Sequence, residues 1–204
     1  MTRFKTLFSP FRIGTLELRN RIVMPPMATN FAGEDGSVND RHIAYYVKRA
    51  KGGVGYITFE HTGVLRQGRA FPNMALIDSD QHIPPFKKLV EAVHKEGGKI
   101  VIQINHAGRQ TSASITGSPI VAPSAIPCPV RKEMPKELSC EEIQKIIEAF
   151  GAAALRVKEA GADGVEIHMA HGYLINQFLS PFSNKREDEY GGDADRRMRM
   201  AHEV

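Results

Sequence analysis

The sequence predicts an α/β chain built on a parallel sheet, and three observations carry that reading. One pattern recurs along the 204 residues: an apolar run, a loop, an amphipathic helix, a glycine, then the next apolar run. The apolar runs are short and rich in β-branched residues, as strands are. The segments between them are long enough to hold a helix, which a parallel crossover requires and a hairpin does not.

Each element follows from local signals. "FRIGTLELRNRI" reads as a short amino-terminal β-hairpin, with Gly14-Thr15 turning between Phe11–Ile13 and Leu16–Leu18. "RIVMPPM" is the first strand of the repeat. A helix over Asn39–Lys51 follows and is stopped by Gly52-Gly53. "VGYITFE" is the second strand. The helix over Gln81–Glu96 carries Pro84 and Pro85 in its first turn and places Phe86, Leu89, Val90 and Val93 on one face. Gly97-Gly98 ends it, and "KIVIQIN" is the third strand. Ser139 and Glu142 form a capping box for a helix that buries Ile143, Ile146, Ile147, Phe150 and Val157. Gly161 ends that helix, "GVEIH" is the fourth strand, and a further helix starts near Asp195.

Four strands and three complete βα units make about half of a (β/α)₈ (TIM) barrel, which takes about 250 residues. The expectation is therefore a single domain over residues 1–204, the amino-terminal half of such a barrel. Between the third strand and its helix lies "GSPIVAPSAIPCPVRKEMPKE". It is too long for a plain βα turn and reads as an excursion over one end of the sheet.

Composition narrows the function classes. Apolar residues make up 42% and charged residues 25%, with a net charge of +4 and both signs interspersed, as in an ordinary globular protein. No basic stripe is interleaved with aromatics, so nucleic acid is not the expected partner. No apolar run approaches a membrane span, and "MTRFKTLFSPFRIG" lacks the apolar core of a signal peptide. Cys128 and Cys140 form no C-x-x-C pair. The reading is a cytoplasmic chain.

Strand parity selects the inward side chains. Ile57, Phe59, Ile100, Ile102, Ile104, Val165 and Ile167 should face the helices. Tyr56, Thr58, Glu60, Val101, Gln103, Asn105, Glu166 and His168 should face the barrel interior, with the polar groups gathering at the carboxyl ends of the strands, where barrel enzymes do their chemistry. Glu166 is placed to accept hydrogen bonds from neighbouring strands. His168 and His171 could be a metal pair, but a metal site needs a third ligand and none is near in sequence, so no metal is assigned. His42, His82, His94 and His202 read as surface or packing residues, with His61 and His106 ending strands.

"NRIVMPPMAT", "VIQINHAGRQ" and "GVEIHMAHGYLINQFLSPFSNKREDEYGG", in this order, resemble the old yellow enzyme family. More narrowly they look like its bacterial enoate reductase, dienoyl-CoA reductase and NADH:flavin oxidoreductase branch. The resemblance implies an FMN-binding barrel with NAD(P)H as reductant and an unsaturated carbonyl compound as substrate. It implies that Pro25, Pro26, Met27 and Ala28 form a wall against the flavin, that His61 stands at a flavin-contact position where members often carry a small residue, and that Gln103 bonds the flavin's pyrimidine edge. It makes His168 and His171 the pair that binds the substrate carbonyl oxygen, where charge develops as in an oxyanion hole. Tyr173 becomes the proton donor to the substrate's α-carbon. An iron–sulfur cluster and FAD belong only to longer members.

The expected function is FMN-dependent transfer of hydride from NAD(P)H to the activated C=C bond of an unsaturated carbonyl compound, in a homo-oligomer. Two alternatives stand beside it. One is a truncated, non-catalytic half-barrel that self-associates through its open edges. The other is a metal-dependent barrel hydrolase using His168 and His171.

Overall fold

The computed structural model describes residues 3–204. A two-stranded antiparallel hairpin, β1 (Phe11–Ile13) and β2 (Leu16–Leu18), opens the chain. Gly14 supplies the left-handed backbone of its turn at φ +58°. The first strand of the repeat, β3, is only Val23–Met24. Pro25 and Pro26 follow, and neither has an N–H to extend a ladder.

Helix α1 (Asp40–Lys51) is capped by Asn39, whose side chain accepts from the Arg41 and His42 N–H groups, while His42 accepts from the Asn39 N–H. Strand β4 spans Tyr56–Gly63. Helix α2 (Ile83–Lys95) buries Phe86, Leu89, Val90 and Val93 as the spacing predicts. Its expected first turn is a separate 3₁₀ turn at Asp80–His82. Strand β5 (Ile100–Asn105) is buried throughout. The Pro-rich excursion contains a short helix, α3 (Ala113–Thr116), and a parallel two-residue pair, β6 (Val121–Ala122) with β7 (Lys136–Glu137). Helix α4 (Cys140–Glu159) starts at the expected Ser139–Glu142 capping box. After β8 (Gly164–Ile167) come α5 (Leu174–Leu179) and α6 (Ala194–Glu203), the latter capped by Asp193.

The main sheet runs β3-β4-β5-β8, all parallel. Neighbouring strands are therefore consecutive strands of a barrel wall, each joined to the next by a helical crossover. Ile57, Phe59, Ile100, Ile102 and Ile104 are fully buried under α1, α2 and α4, the largest apolar cluster of the chain. Each such side chain contributes roughly 1.5–3 kcal/mol by leaving water. Among these apolar positions parity holds except at the edge: Val165 is 40% exposed, because β8 is an outer strand of the sheet. Asp163 ties the amino-terminal ends of β5 and β8 together. It accepts from His94, Lys99 and the Ile100 N–H; burial pushes its carboxyl up, but these three bonds hold it below the usual range.

One irregularity matters for the site. In the β4–β5 ladder Phe59 pairs with Ile102, but Thr62 pairs with Ile104. One extra residue lies in β4 between those pairs, a β-bulge. Simple alternation sends Glu60 inward and His61 outward. The bulge instead turns His61 into the barrel interior and Glu60 toward α1 and the segment after β3.

Candidate active site

The carboxyl ends of β3, β4, β5 and β8 surround a cavity of about 220 Å³, lined by Pro26, Ala28, His61, Phe71, Gln103, His168, His171 and Tyr173. Seven of these eight are expected site residues. Pro25 and Met27 are not among the lining residues, and Met27 is 54% exposed. The reason is parity: in the extended segment after β3, Pro26 and Ala28 share one side while Pro25 and Met27 take the other.

The histidine pair is built by the turn after β8. His171 has φ +59° and Gly172 has φ +73°. Two successive left-handed residues reverse the chain so that the His171 ring meets His168 edge-on, with centroids 5.0 Å apart at 83°. A side chain at φ near +60° is uncommon outside glycine, Asn, Asp and His. His171 is exposed and His168 is buried.

Hydrogen bonds set the protons. The Ala170 N–H donates to His168 Nδ1 at 3.2 Å, which leaves the neutral ring's proton on Nε2. That nitrogen lies 3.3 Å from His171 Nδ1. Two ring nitrogens thus converge on one point beside the cavity. Burial, then the neighbouring His61 and His171, push His168 down to about 4, so it is neutral at physiological pH. His61 follows the same logic. Asn105 Nδ2 lies 3.2 Å from His61 Nδ1 and donates to it, and burial pushes the ring down to about 4.

Tyr173 packs between these rings. It stacks on His61 with centroids 5.5 Å apart at 28°, and meets His168 at 4.9 Å and 90°. Burial raises its hydroxyl above the usual value, opposed by Arg131 and by a hydrogen bond with Gln110. The hydroxyl therefore keeps its proton at neutral pH and can donate it. Gln103 Nε2 donates to Glu166 Oε1 at 2.6 Å, and Thr58 Oγ1 lies 3.4 Å from the other carboxylate oxygen. With its amide nitrogen engaged there, Gln103 keeps its carbonyl oxygen free to accept.

Several contributors had no assigned role in the sequence reading. Phe71 sits in the loop after β4, edge-on to His61 at 5.8 Å, and nothing in "GRAFPNM" marks it. Gln177 on α5 joins the two site loops: its Nε2 donates to the Ala107 and Gly172 carbonyls, and its Oε1 accepts from the Arg109 N–H. A glutamine inside "LINQFL" was its signal, a polar group in a buried apolar run. Arg109 in turn donates to the Ile126 and Pro127 carbonyls and pins the Pro-rich excursion beside the site. Among the described residues no three His, Cys, Asp or Glu side chains stand close enough to hold a metal ion. No described helix is long and apolar enough to cross a membrane.

The chain is 53% identical over a 206-residue alignment to an NADH oxidase of Thermoanaerobacter brockii, covering 100% of this chain and 32% of that protein. It is 48% identical over 198 residues to an NADPH dehydrogenase of Clostridium acetobutylicum, covering 97% of this chain and 58% of that one. Among solved structures, the old yellow enzyme homologue from Zymomonas mobilis superposes with a TM-score of 0.91 at 33% identity, over 97% of this chain and 58% of that one. Morphinone reductase superposes at 0.90 and 33%, over 99% and 58%. The chain thus spans between a third and about three-fifths of these relatives, and its sheet is the corresponding part of their barrel. A match to the family description covers residues 6–204, and the chain belongs to the NADH:flavin oxidoreductase / NADH oxidase family.

Proposed function

We propose that this chain carries the substrate side of an FMN-dependent oxidoreductase, which passes hydride from NAD(P)H to the activated C=C bond of an unsaturated carbonyl compound. Residues 1–204 would form the amino-terminal half of the FMN-binding barrel domain, working in the cytoplasm as a homo-oligomer. The observation that carries this reading is the convergence of His168 Nε2 and His171 Nδ1, 3.3 Å apart, beside a cavity walled by Pro26, Ala28 and Gln103.

The residues present fit one edge of a flavin. Pro26 and Ala28 offer a small apolar wall, and the Gln103 carbonyl oxygen is left to accept from a ring N–H once its nitrogen is bound to Glu166. His61 belongs to the same wall. Bound FMN supplies the hydride. His168, through its Nε2–H, and His171, whose Nδ1 lies beside it, hold the substrate's carbonyl oxygen and stabilise the negative charge that develops there. A neutral donor at His168 suits this task, because it needs no proton uptake before binding. Tyr173, buried and protonated, delivers a proton to the α-carbon. Phe71 and the stacked His61 and Tyr173 rings exclude water from the same corner. An iron–sulfur cluster or FAD would need residues beyond these.

The test is the visible spectrum of the purified chain with added FMN, before and after desalting. A retained flavin band supports the reading. A colourless protein eluting as a dimer favours the second one, a non-catalytic half-barrel that self-associates. The edge of β8, unpaired among the described residues, with Val165 40% exposed, and Leu155 of α4, 56% exposed, are what favour that alternative.

A further inference from the structure

We infer that Glu60 is a positioning residue: its buried carboxylate clamps the Ala28–Thr29 peptide and thereby sets the wall on which the cofactor edge rests. The inference rests on the reading of the cavity as a flavin site. Glu60 is 3% exposed and sits at the β4 bulge. One oxygen takes the Thr29 N–H; the other takes the Thr29 hydroxyl at 2.7 Å and His42 Nε2 at 2.7 Å. His42 is fully buried, and its Nδ1 accepts from the Asn39 N–H at 3.3 Å, so its proton lies on Nε2, aimed at Glu60. Tyr46 anchors the backbone beneath by accepting the Glu60 N–H at 3.0 Å. The chain of bonds runs from the cap of α1, through His42 and Glu60, to the strand-end segment after β3.

This arrangement is more than a filled seam. A buried carboxylate with no Lys or Arg partner is costly unless its lone pairs are met, and an apolar side chain would fill the space at less cost. What a carboxylate adds is direction. A trans peptide is planar, so an Ala28–Thr29 unit whose N–H is held by Glu60 has its Ala28 carbonyl turned the opposite way. Pro26 and Ala28, which line the cavity, are carried by that same segment. The bulge serves both functions at once, since the residue that clamps the wall and His61, which enters the cavity, are adjacent.

The test uses the 204-residue chain in two measurements. Amide hydrogen exchange is followed at Thr29 in wild type, Glu60→Gln, Thr29→Val and Thr29→Ser. Glutamine keeps the shape but cannot accept at both oxygens. The clamp predicts exchange at Thr29 roughly tenfold faster or more in Glu60→Gln, an intermediate effect in Thr29→Val and rescue in Thr29→Ser, with β5 unchanged. FMN titration should then show binding about tenfold weaker in Glu60→Gln and a shifted visible band for the flavin that is bound. Unchanged Thr29 exchange overturns the inference. So does uniformly faster exchange across β5 in both Glu60→Gln and Thr29→Val, which is the signature of a fold-wide role. Should wild type retain no FMN, the proposed function fails at that step, and exchange at Thr29 alone decides the clamp.

Discussion

His106 gives the sharpest stability prediction. It ends the β5 segment, is 1% exposed and lies against Gly68, where an added Cβ would come within 2.6 Å of its ring. Its Nδ1 accepts from the Gly108 N–H at 3.1 Å, and its Nε2 has no hydrogen-bond partner among the described residues. Burial pushes this ring from 6.5 down to about 4. Above the unfolded value both states are neutral and no stability is lost. As the pH falls from 6.5 toward about 4, only the unfolded chain takes up the proton, so stability falls across that window. At about 1.4 kcal/mol per unit over roughly 1.5 units, the cost near pH 5 is about 2 kcal/mol from this residue alone. His61 and His168 are shifted the same way and add to it. His106→Gln can keep an acceptor for Gly108 without titrating. Urea melts near pH 7 and near pH 5 should show the variant losing about 2 kcal/mol less than wild type between them. Equal losses in the two proteins would refute the claim that His106 is buried neutral.

Three further outcomes follow from named contacts. Tyr173→Phe should slow alkene reduction roughly a hundredfold while flavin reduction by NADH is unchanged, measured as separate half-reactions. Gly55→Ala should cost about 1–3 kcal/mol in a thermal melt, because the new Cβ would meet the Asn20 carbonyl at 2.3 Å and the Ile22 carbonyl at 3.0 Å, both backbone. Gln177→Leu leaves the Ala107 and Gly172 carbonyls and the Arg109 N–H without their partner. It should cost about 1–3 kcal/mol and speed amide exchange at Arg109.

Much of the fold is legible because apolar periodicity and capping residues are local. Asn39 and Ser139 begin their helices where the sequence places them, and Ile57, Phe59, Ile100 and Ile102 bury as parity predicts. Gln103 beside Glu166 likewise follows from alternation along two neighbouring strands. The bulge does not follow. "FEHTG" alternates acceptably in either register, and only pairing with β5 reveals the extra residue. Gly63 just beyond it was the one hint, a glycine within a strand pattern. Consequently the sequence reading put Glu60 inside, whereas its carboxylate faces Thr29 and His42. Helix α5 also escaped. It is six residues long, too short for helical periodicity to stand out from an apolar run. Phe71 reaches the cavity from a loop whose path is set by distant contacts, such as the bond from the Asn73 N–H to Asn30.

The central claim is that His168 and His171 act on the substrate's oxygen and not on the flavin. The direct measurement compares two half-reactions in the FMN-loaded protein, for wild type and for the His168→Ala, His171→Ala double variant. The account predicts that reduction of the flavin by NADH proceeds at nearly the wild-type rate, while oxidation by an unsaturated carbonyl compound slows by at least about a hundredfold. Equal loss in both half-reactions would contradict it.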